Sequence, residues 1–516
     1  MNTKKLLFGS ILLASALAFF RKLFASQISP KATPQKTTYE AIDAFITEQM
    51  HRLKIPGASL AIVEGDQAVY FRGYGFARPG GEVPTPQTPF FIGSITKSIT
   101  ATAIMQLVEA AKLELDAPIQ RYLPWFRVAD PAASAQMTIR HLLNQTSGLP
   151  EMAGEIGLSY FDDGPSAIEH QVRALSTLEL KHPVGSVCEY SNLNFNIAGL
   201  VVEVVSGEPY ADYIQNHIFK PLKMIHSYTS QKVARKNGLA IGHRYWFSFP
   251  FPVHNLTAPY GSLPSGQLIS CTEDLAHYLI AHLNEGKYGD VQILSSAGID
   301  ELHRAAVEYS KWGFSGWQYA MGWFITQLGE IRIVSHGGNC PDFSAFVALI
   351  PEQNKGVILL INADHYGIPV ILEEVGMGIT ALLIGQKPSP IQLGFFPWIM
   401  RCLPLIPLLQ IFGVFTTLRK IKRWQRDPQK VPSKGRLWGF HILPSLIPNL
   451  LLAGMLRYIR SSRLIDYLNI FIPDVAWIAR ISGGFASLWA SMRTRLVLQA
   501  WRKSRGINDI TEEGIS

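Results

Sequence analysis

The stretch Phe91-Ile92-Gly93-Ser94-Ile95-Thr96-Lys97-Ser98 decides how the chain is read. A serine and a lysine three residues apart share one face wherever the backbone is helical. Ile99, Ala103, Ile104 and Leu107 recur at helical spacing and Gly93 stands just before the turn. The pattern predicts a largely apolar helix ending near Leu113. Ser94 falls in its first turn, where unpaired N–H groups and the positive end of the helix dipole favour an alkoxide or an oxyanion. Lys97 lies one turn on. Desolvated beside that positive end, its amine is a candidate acceptor for the serine proton near neutral pH. Ser-x-x-Lys also arises by chance on surface helices with a solvated lysine, so the catalytic reading needs partners elsewhere in the chain.

Those partners are sought outward from the motif. Upstream, Pro56–Val63 and Ala68–Tyr74 read as two strands joined by the polar turn Glu64-Gly65-Asp66-Gln67, after a helix over Tyr39–Leu53. Downstream, Ile139–Pro150 reads as a short helix closing in a Gly-Pro turn; His141 within it is a candidate ligand or, more commonly at a helix start, a structural group. A Pro-Gly turn then leads to Tyr190-Ser191-Asn192 and the helix Phe195–Ser206. That arrangement sets a phenol and an amide side by side: the phenol can relay protons where nearby cations lower its pKa, and the amide can bond both Lys97 and a substrate carbonyl. A loop tyrosine capping a turn would look the same. Gly261–Leu268 is a Gly/Ser/Pro-rich loop, and Thr272 reads as the cap of the helix Glu273–Leu283. Ile331–Ser335 alternates as a strand and runs into His336-Gly337-Gly338-Asn339, with strands at Phe343–Ile350 and Gly356–Ile361. Two glycines there permit a close backbone approach and an edge that offers N–H groups to a substrate; a hairpin turn with an incidental histidine is the plainer alternative.

Composition divides the 516 residues in two. The net charge of +8 does not mark a nucleic-acid binder: residues 391–516 hold 18 Lys/Arg against 6 Asp/Glu, leaving the rest near −4. The basic excess travels with apolar runs at Phe395–Leu418, Leu437–Leu456 and Tyr467–Ala490, each long enough to cross a bilayer, so the partner it implies is a membrane surface. Arg401, Arg480 and several prolines interrupt them, and a count of two to four spans fits. Basic clusters at 419–436 and 493–505 predict a cytoplasmic side for both, which places the body of the chain outside. Residues 1–27, with Lys4 and Lys5 before the apolar run Leu6–Phe20, read as a signal peptide or N-terminal anchor and demand the same sidedness. Residues 28–388 are then the catalytic domain, beginning with a Pro/Lys/Thr linker, and 389–516 a transmembrane domain of about three helices. Four scattered cysteines and no HExxH give no disulfide framework, metal site or cofactor.

Taken as an ordered set, Ser94-x-x-Lys97, Tyr190-x-Asn192 and His336-Gly337-Gly338 resemble the penicillin-recognising serine hydrolases, and most closely the class C β-lactamase-related branch. Leu113–Pro118, His141-Leu142-Leu143 and Thr146–Pro150 carry the likeness further, over roughly residues 38–385. The resemblance implies an α+β fold: an antiparallel sheet flanked by helices, beside an all-helical lobe, with the site between them. It implies Ser94 as the acylated nucleophile, Lys97 as its proton partner and Tyr190 as the relay. Asn192 binds the substrate amide, Ser94 and Asn339 supply the oxyanion N–H groups, and His336, Gly337 and Gly338 line the substrate edge, with no metal.

One departure narrows the substrate. Most of the family places lysine, which grips a carboxylate, where this chain has His336. A neutral imidazole attracts a carboxylate less, which favours amides or esters over β-lactams and D-Ala-D-Ala ends. Export signal, hydrolase and C-terminal spans together are similar to the membrane-bound peptidases that remove an acyl-D-amino-acid cap from secreted nonribosomal prodrugs, as in colibactin-type pathways. A cell-envelope esterase or D,D-carboxypeptidase/β-lactamase, and an acylated sensor without turnover, are the other readings. The location expected is the inner or cytoplasmic membrane with the catalytic domain on its outer side.

Overall fold

The computed structural model describes residues 37–151, 153, 164–254, 256, 259–310, 316–364, 369–392, 394–461 and 464–506. The N-terminal signal or anchor segment, 1–27, lies outside them. An eight-stranded antiparallel sheet is built from β1 (Gly57–Glu64), β2 (Gln67–Gly75), β5 (Val307–Tyr309), β6 (Trp317–Tyr319), β7 (Phe324–Leu328), β8 (Ile331–Cys340), β9 (Phe343–Ile350) and β10 (Lys355–Ile361). Its order is β2-β1-β10-β9-β8-β7-β6-β5. The hairpin β3 (Gly242–Trp246) and β4 (Phe249–Val253) stands apart from that sheet.

The central strands are apolar on both faces, because side chains alternate and both faces are covered. In β1, Leu60 and Ile62 face one core with Ile42 and Ile46 of helix α1 (Thr38–Leu53) and Val375 and Ile379 of helix α5 (Pro369–Leu383). Ala61 and Val63 face the other core with Ile99 and Ile104 of helix α2 (Thr96–Glu109) and Leu279 of helix α4 (Thr272–Leu283). Helix α3 (Asn192–Ser206) packs on α2 from the helical lobe. Buried threonines of α2 are satisfied from neighbouring elements: Thr100 Oγ1 lies 2.6 Å from Tyr210 Oη and donates to Pro264 O, and Thr102 Oγ1 lies 3.1 Å from Tyr278 Oη. Buried hydroxyls so paired cost little, which lets a Thr-rich helix sit almost wholly inside the protein.

Of the two readings of His336–Asn339 the strand holds and the hairpin turn does not: the segment is part of β8, paired with β9 at His336↔Val347 and Asn339↔Ser344. His141 takes its structural reading as a capping group, its Nδ1 accepting from Thr138 N. One expectation is corrected: the cap of α4 is Cys271, whose sulfur accepts from Asp274 N at 3.4 Å, and Thr272 is instead the first helical residue, bonded to Ser59 Oγ and Pro86 O.

Beyond residue 394 the chain forms helices α6 (Phe396–Cys402), α7 (Leu405–Arg426), α8 (Leu443–Ser461) and α9 (Pro473–Ser504). Two stretches, Phe396–Arg426 and Lys434–Ser461, are long and apolar enough to cross a membrane. The third expected span, Tyr467–Ala490, falls partly in the helix Leu464–Phe471 and partly in α9, and α9 is of a different kind. Ala476, Ala479, Gly483, Ala486, Ala490, Val497 and Ala500 form a buried seam at heptad spacing, and Trp477, Ile481, Leu488 and Met492 point outward. Small residues let backbones approach: a Cβ on Gly483 would meet Leu456 Cβ of α8 at 2.7 Å. Arg493 donates to Thr417 Oγ1 of α7, so this small-residue seam also carries a polar contact.

Candidate active site

Ser94 sits in the 3₁₀ turn Gly93–Ile95 that opens α2, and it is partly exposed whereas its neighbours are buried. Gly93 has φ +52°, a left-handed conformation that glycine adopts freely. A Cβ there would strike the main chain of Gly338 and Asn339, and one on Gly338 would meet Ile92 O at 2.0 Å and Ser94 N at 3.3 Å. The two glycines thus let β8 pass directly against the Ser94 turn and set the main-chain nitrogens of Ser94 and Asn339 beside each other.

Lys97 is fully buried. Its Nζ donates to Ser94 Oγ at 2.9 Å, Asn192 Oδ1 at 2.6 Å and Ser265 O at 2.7 Å. Three acceptors for one amine offset the cost of burying it, and all three are uncharged. Nζ also lies 4.9 Å from the centre of the Tyr190 ring. Four sequence-predicted residues from two distant segments, Ser94, Lys97, Tyr190 and Asn192, therefore meet around one amine.

The Tyr190 loop is held by groups that the sequence reading passed over. Gln145, in the left-handed region at φ +60°, accepts from Ser191 N through Oε1 and from Glu189 N through its carbonyl. Asn194 Nδ2 also donates to Gln145 Oε1, and Ser147 Oγ donates to Asn194 Oδ1. Gln145, with Ser147 behind it, is thus the clamp of the Tyr190 loop. Ser265 contributes a main-chain carbonyl, a role that leaves no trace in residue type.

His336 is buried among Tyr190, Tyr319 and Phe324, with ring centres 6.2, 6.1 and 5.0 Å away. Burial first, and the Lys97 charge second, push its imidazole down to about 3, so the ring is neutral at pH 7. Nδ1 faces the Gly337 carbonyl, which only accepts; the proton is therefore assigned to Nδ1, leaving Nε2 as a lone-pair acceptor. Nε2 is buried and makes no hydrogen bond among the described residues.

Gly337 and the Asn339 side chain point the other way. A Cβ on Gly337 would run into Glu373 of α5, whose carboxyl is pushed up to about 8 by burial and then by Asp364. Asn339 Nδ2 donates to Asp364 Oδ1 at 3.2 Å, so Asn339 faces the site with its main chain only. The turn after β8 is fixed by Asp342, at φ +73° and buried, whose two oxygens accept from Arg244 Nε at 2.6 Å and a terminal nitrogen at 2.9 Å. Among the described residues no group of three or more His, Cys, Asp or Glu could hold a metal ion.

The family description "Beta-lactamase" matches residues 42–371. The chain is similar to Protein flp of Staphylococcus aureus: 29% identical over 352 residues in strain MW2 and 31% over 350 in strain MRSA252. Each match takes in 66% of this chain and 66% of the relative, just under two thirds of its length. It is 29% identical over 334 residues to Penicillin-binding protein 4 of Amycolatopsis lactamdurans, covering 63% of this chain and 84% of that one. Among solved structures, the octameric penicillin-binding protein homologue from Pyrococcus abyssi superposes with a TM-score of 0.59 at 28% identity, over 71% of this chain and 82% of that one.

Proposed function

The chain belongs to the beta-lactamase family, a serine hydrolase and acyl-transferase class, and from that premise we propose that it is a membrane-bound peptidase. It acts through an acyl-Ser94 intermediate and removes an acylated D-amino-acid cap from a secreted nonribosomal peptide. The observation that carries the chemistry is the buried Lys97 amine, 2.9 Å from Ser94 Oγ and held there by Asn192 Oδ1 and Ser265 O.

In its reactive, neutral form Lys97 keeps two N–H groups on Asn192 Oδ1 and Ser265 O and turns its lone pair to Ser94; Ser94 Oγ then attacks the amide carbonyl while that lone pair takes the serine proton. Negative charge gathers on the carbonyl oxygen between the N–H groups of Ser94 and Asn339. The phenol of Tyr190, beside the Lys97 amine, passes a proton to the leaving nitrogen and later takes one from the deacylating water. Asn192 holds Lys97 and receives the cap's amide. As water displaces the acyl group Lys97 returns its proton to Ser94 Oγ, so both groups end as they began and hydrolysis consumes one water and releases acid and amine.

His336 supports the choice of an amide without a carboxylate at that edge. Its ring is buried and neutral, so that edge presents no cation to grip a carboxylate. The helices α7, α8 and α9 are about three spans with the basic 419–436 and 493–505 segments on the cytoplasmic side, and the domain over 28–388 stands on the outer side.

A panel of acyl-D-amino-acid amides, their L counterparts, simple esters and a chromogenic cephalosporin, followed by mass spectrometry, tests this. The D-amides should be cleaved fastest and His336→Lys should shift preference towards carboxylate-bearing substrates. Preference for the cephalosporin or for D-Ala-D-Ala ends would instead support the D,D-carboxypeptidase/β-lactamase reading. A single acylation without turnover would support the sensor.

A further inference from the structure

We propose that the β3–β4 hairpin is an interfacial foot: Phe249 and Phe251 rest in the headgroup region of the bilayer leaflet nearest the catalytic domain. The partner is a lipid surface. The inference rests on α7 and α8 crossing a bilayer and not on the acyl-transfer chemistry.

The level of the bilayer follows from helix length. A hydrocarbon core about 30 Å thick takes about 20 helical residues. Counting from the basic cluster that begins at Arg419 reaches Ile399, beside Trp398 and Arg401. Counting forward from Arg436 along α8 reaches Leu456, followed by Arg457. Counting back from Arg493 along α9 reaches Pro473 and Asp474. The three helices thus set the same end of the bundle at one depth.

The hairpin is docked at that end. Phe247 N donates to Asp474 Oδ2 at 3.0 Å, and Ser248 Oγ donates to Pro397 O at 3.2 Å. Asp474 is fully buried, so this is a seated contact. Around it lie Phe249, Phe251, Phe395, Trp398 and Ile399, each between 48% and 72% exposed. Bulky apolar side chains so exposed and so continuous with membrane-crossing helices have a bilayer as their natural cover. The chemistry is that of an interface belt, aromatic rings with basic groups beside them. Lys54 Nζ lies 3.5 Å over the Phe249 ring and the Arg401 guanidinium 5.6 Å from it, placed to meet lipid phosphates.

The foot also reaches the active site. From its tip, β3 runs back to Arg244 and Gly242, which grip Asp342 at the end of β8. Five residues of strand make the hairpin about 17 Å long. The site is therefore held at a set distance from the leaflet.

The full chain, reconstituted in vesicles of phosphatidylcholine and phosphatidylglycerol, is irradiated with a lipid carrying a photoreactive group near the headgroup, and adducts are mapped by mass spectrometry. Adducts should appear on peptides 247–253 and 395–401. In the Phe249→Asp/Phe251→Asp variant those on 247–253 should fall several-fold while those on 405–418 persist. Absence of hairpin adducts with strong labelling of 405–418 would overturn the foot. Absence of labelling on 405–418 would overturn the spans themselves and the foot with them.

Discussion

Adjacent glycines of one motif should behave oppositely when each is given a methyl group. In Gly338→Ala the new Cβ would lie 2.0 Å from the Ile92 carbonyl oxygen, where Cβ atoms in real proteins stay beyond 3.0 Å. The obstacle is backbone, so β8 and the Ser94 turn must separate by at least 1.0 Å. That gap falls between the two N–H groups assigned to the oxyanion. A misplacement of about 1 Å costs about 10²-fold in rate, or about 2.7 kcal/mol of transition-state stabilisation. In Gly337→Ala the obstacle is the Glu373 carboxyl, the far end of a flexible side chain. It can swing aside, and the site face of β8 is untouched. Purified variants are compared by kcat/KM on an activated ester, with thermal melts to show that both are folded. Gly338→Ala should lose about 10²-fold and Gly337→Ala should stay within a few-fold of the parent. Equal losses, or a folded Gly338→Ala with full activity, would refute the proposed oxyanion geometry.

Tyr190→Phe and Lys97→Ala should each lower kcat by about 10²–10⁴-fold, the range for a lost proton-transfer group, as read by single-turnover kinetics. Arg244→Met strands a buried carboxylate on Asp342 and should cost about 3–5 kcal/mol by denaturant unfolding of the enzyme; adding Asp342→Asn, tolerated at a positive φ, should restore much of it. His282 and His336 are both held down to about 3 by burial, so each stays neutral in the fold but protonates in the unfolded chain near 6.5. The unfolded state then binds more protons, and stability is lost as pH falls from about 6.5 towards 3. Each histidine should cost about 2 kcal/mol at pH 5 relative to its contribution above pH 7, measured as a drop in unfolding free energy.

The parts legible in the sequence are those set by local spacing. Ser94 and Lys97 show themselves through a helical period, and β1, β2, β9 and β10 through runs bounded by turn residues. Tyr190 and Asn192 are visible only as a phrase whose companions are known; their convergence on Lys97 spans 93 residues or more of chain and follows from packing α3 on α2. What escaped was carried by main chain or by context. Ser265 acts through a carbonyl, Gln145 through a left-handed turn, and Arg244 through a partner 98 residues away. His336-Gly337-Gly338-Asn339 left a strand edge and a hairpin turn both open because glycine usually interrupts strands; here Gly338 remains in the ladder to let the Ser94 turn close in. The third apolar run read as a span by length, whereas the alternation of Ala and Gly with Trp and Leu in α9 is set by what its seam packs against.

The central claim is that the hydroxyl of Ser94 becomes acylated. The most direct measurement is peptide-level mass spectrometry of the full chain, quenched in acid after mixing with a slowly deacylating ester, in the parent and in Tyr190→Phe. The acyl mass should appear on the peptide containing Ser94, accumulate further in Tyr190→Phe if acylation outlasts deacylation there, and vanish in Ser94→Ala. Acylation of another residue, or turnover that persists in Ser94→Ala, would contradict it.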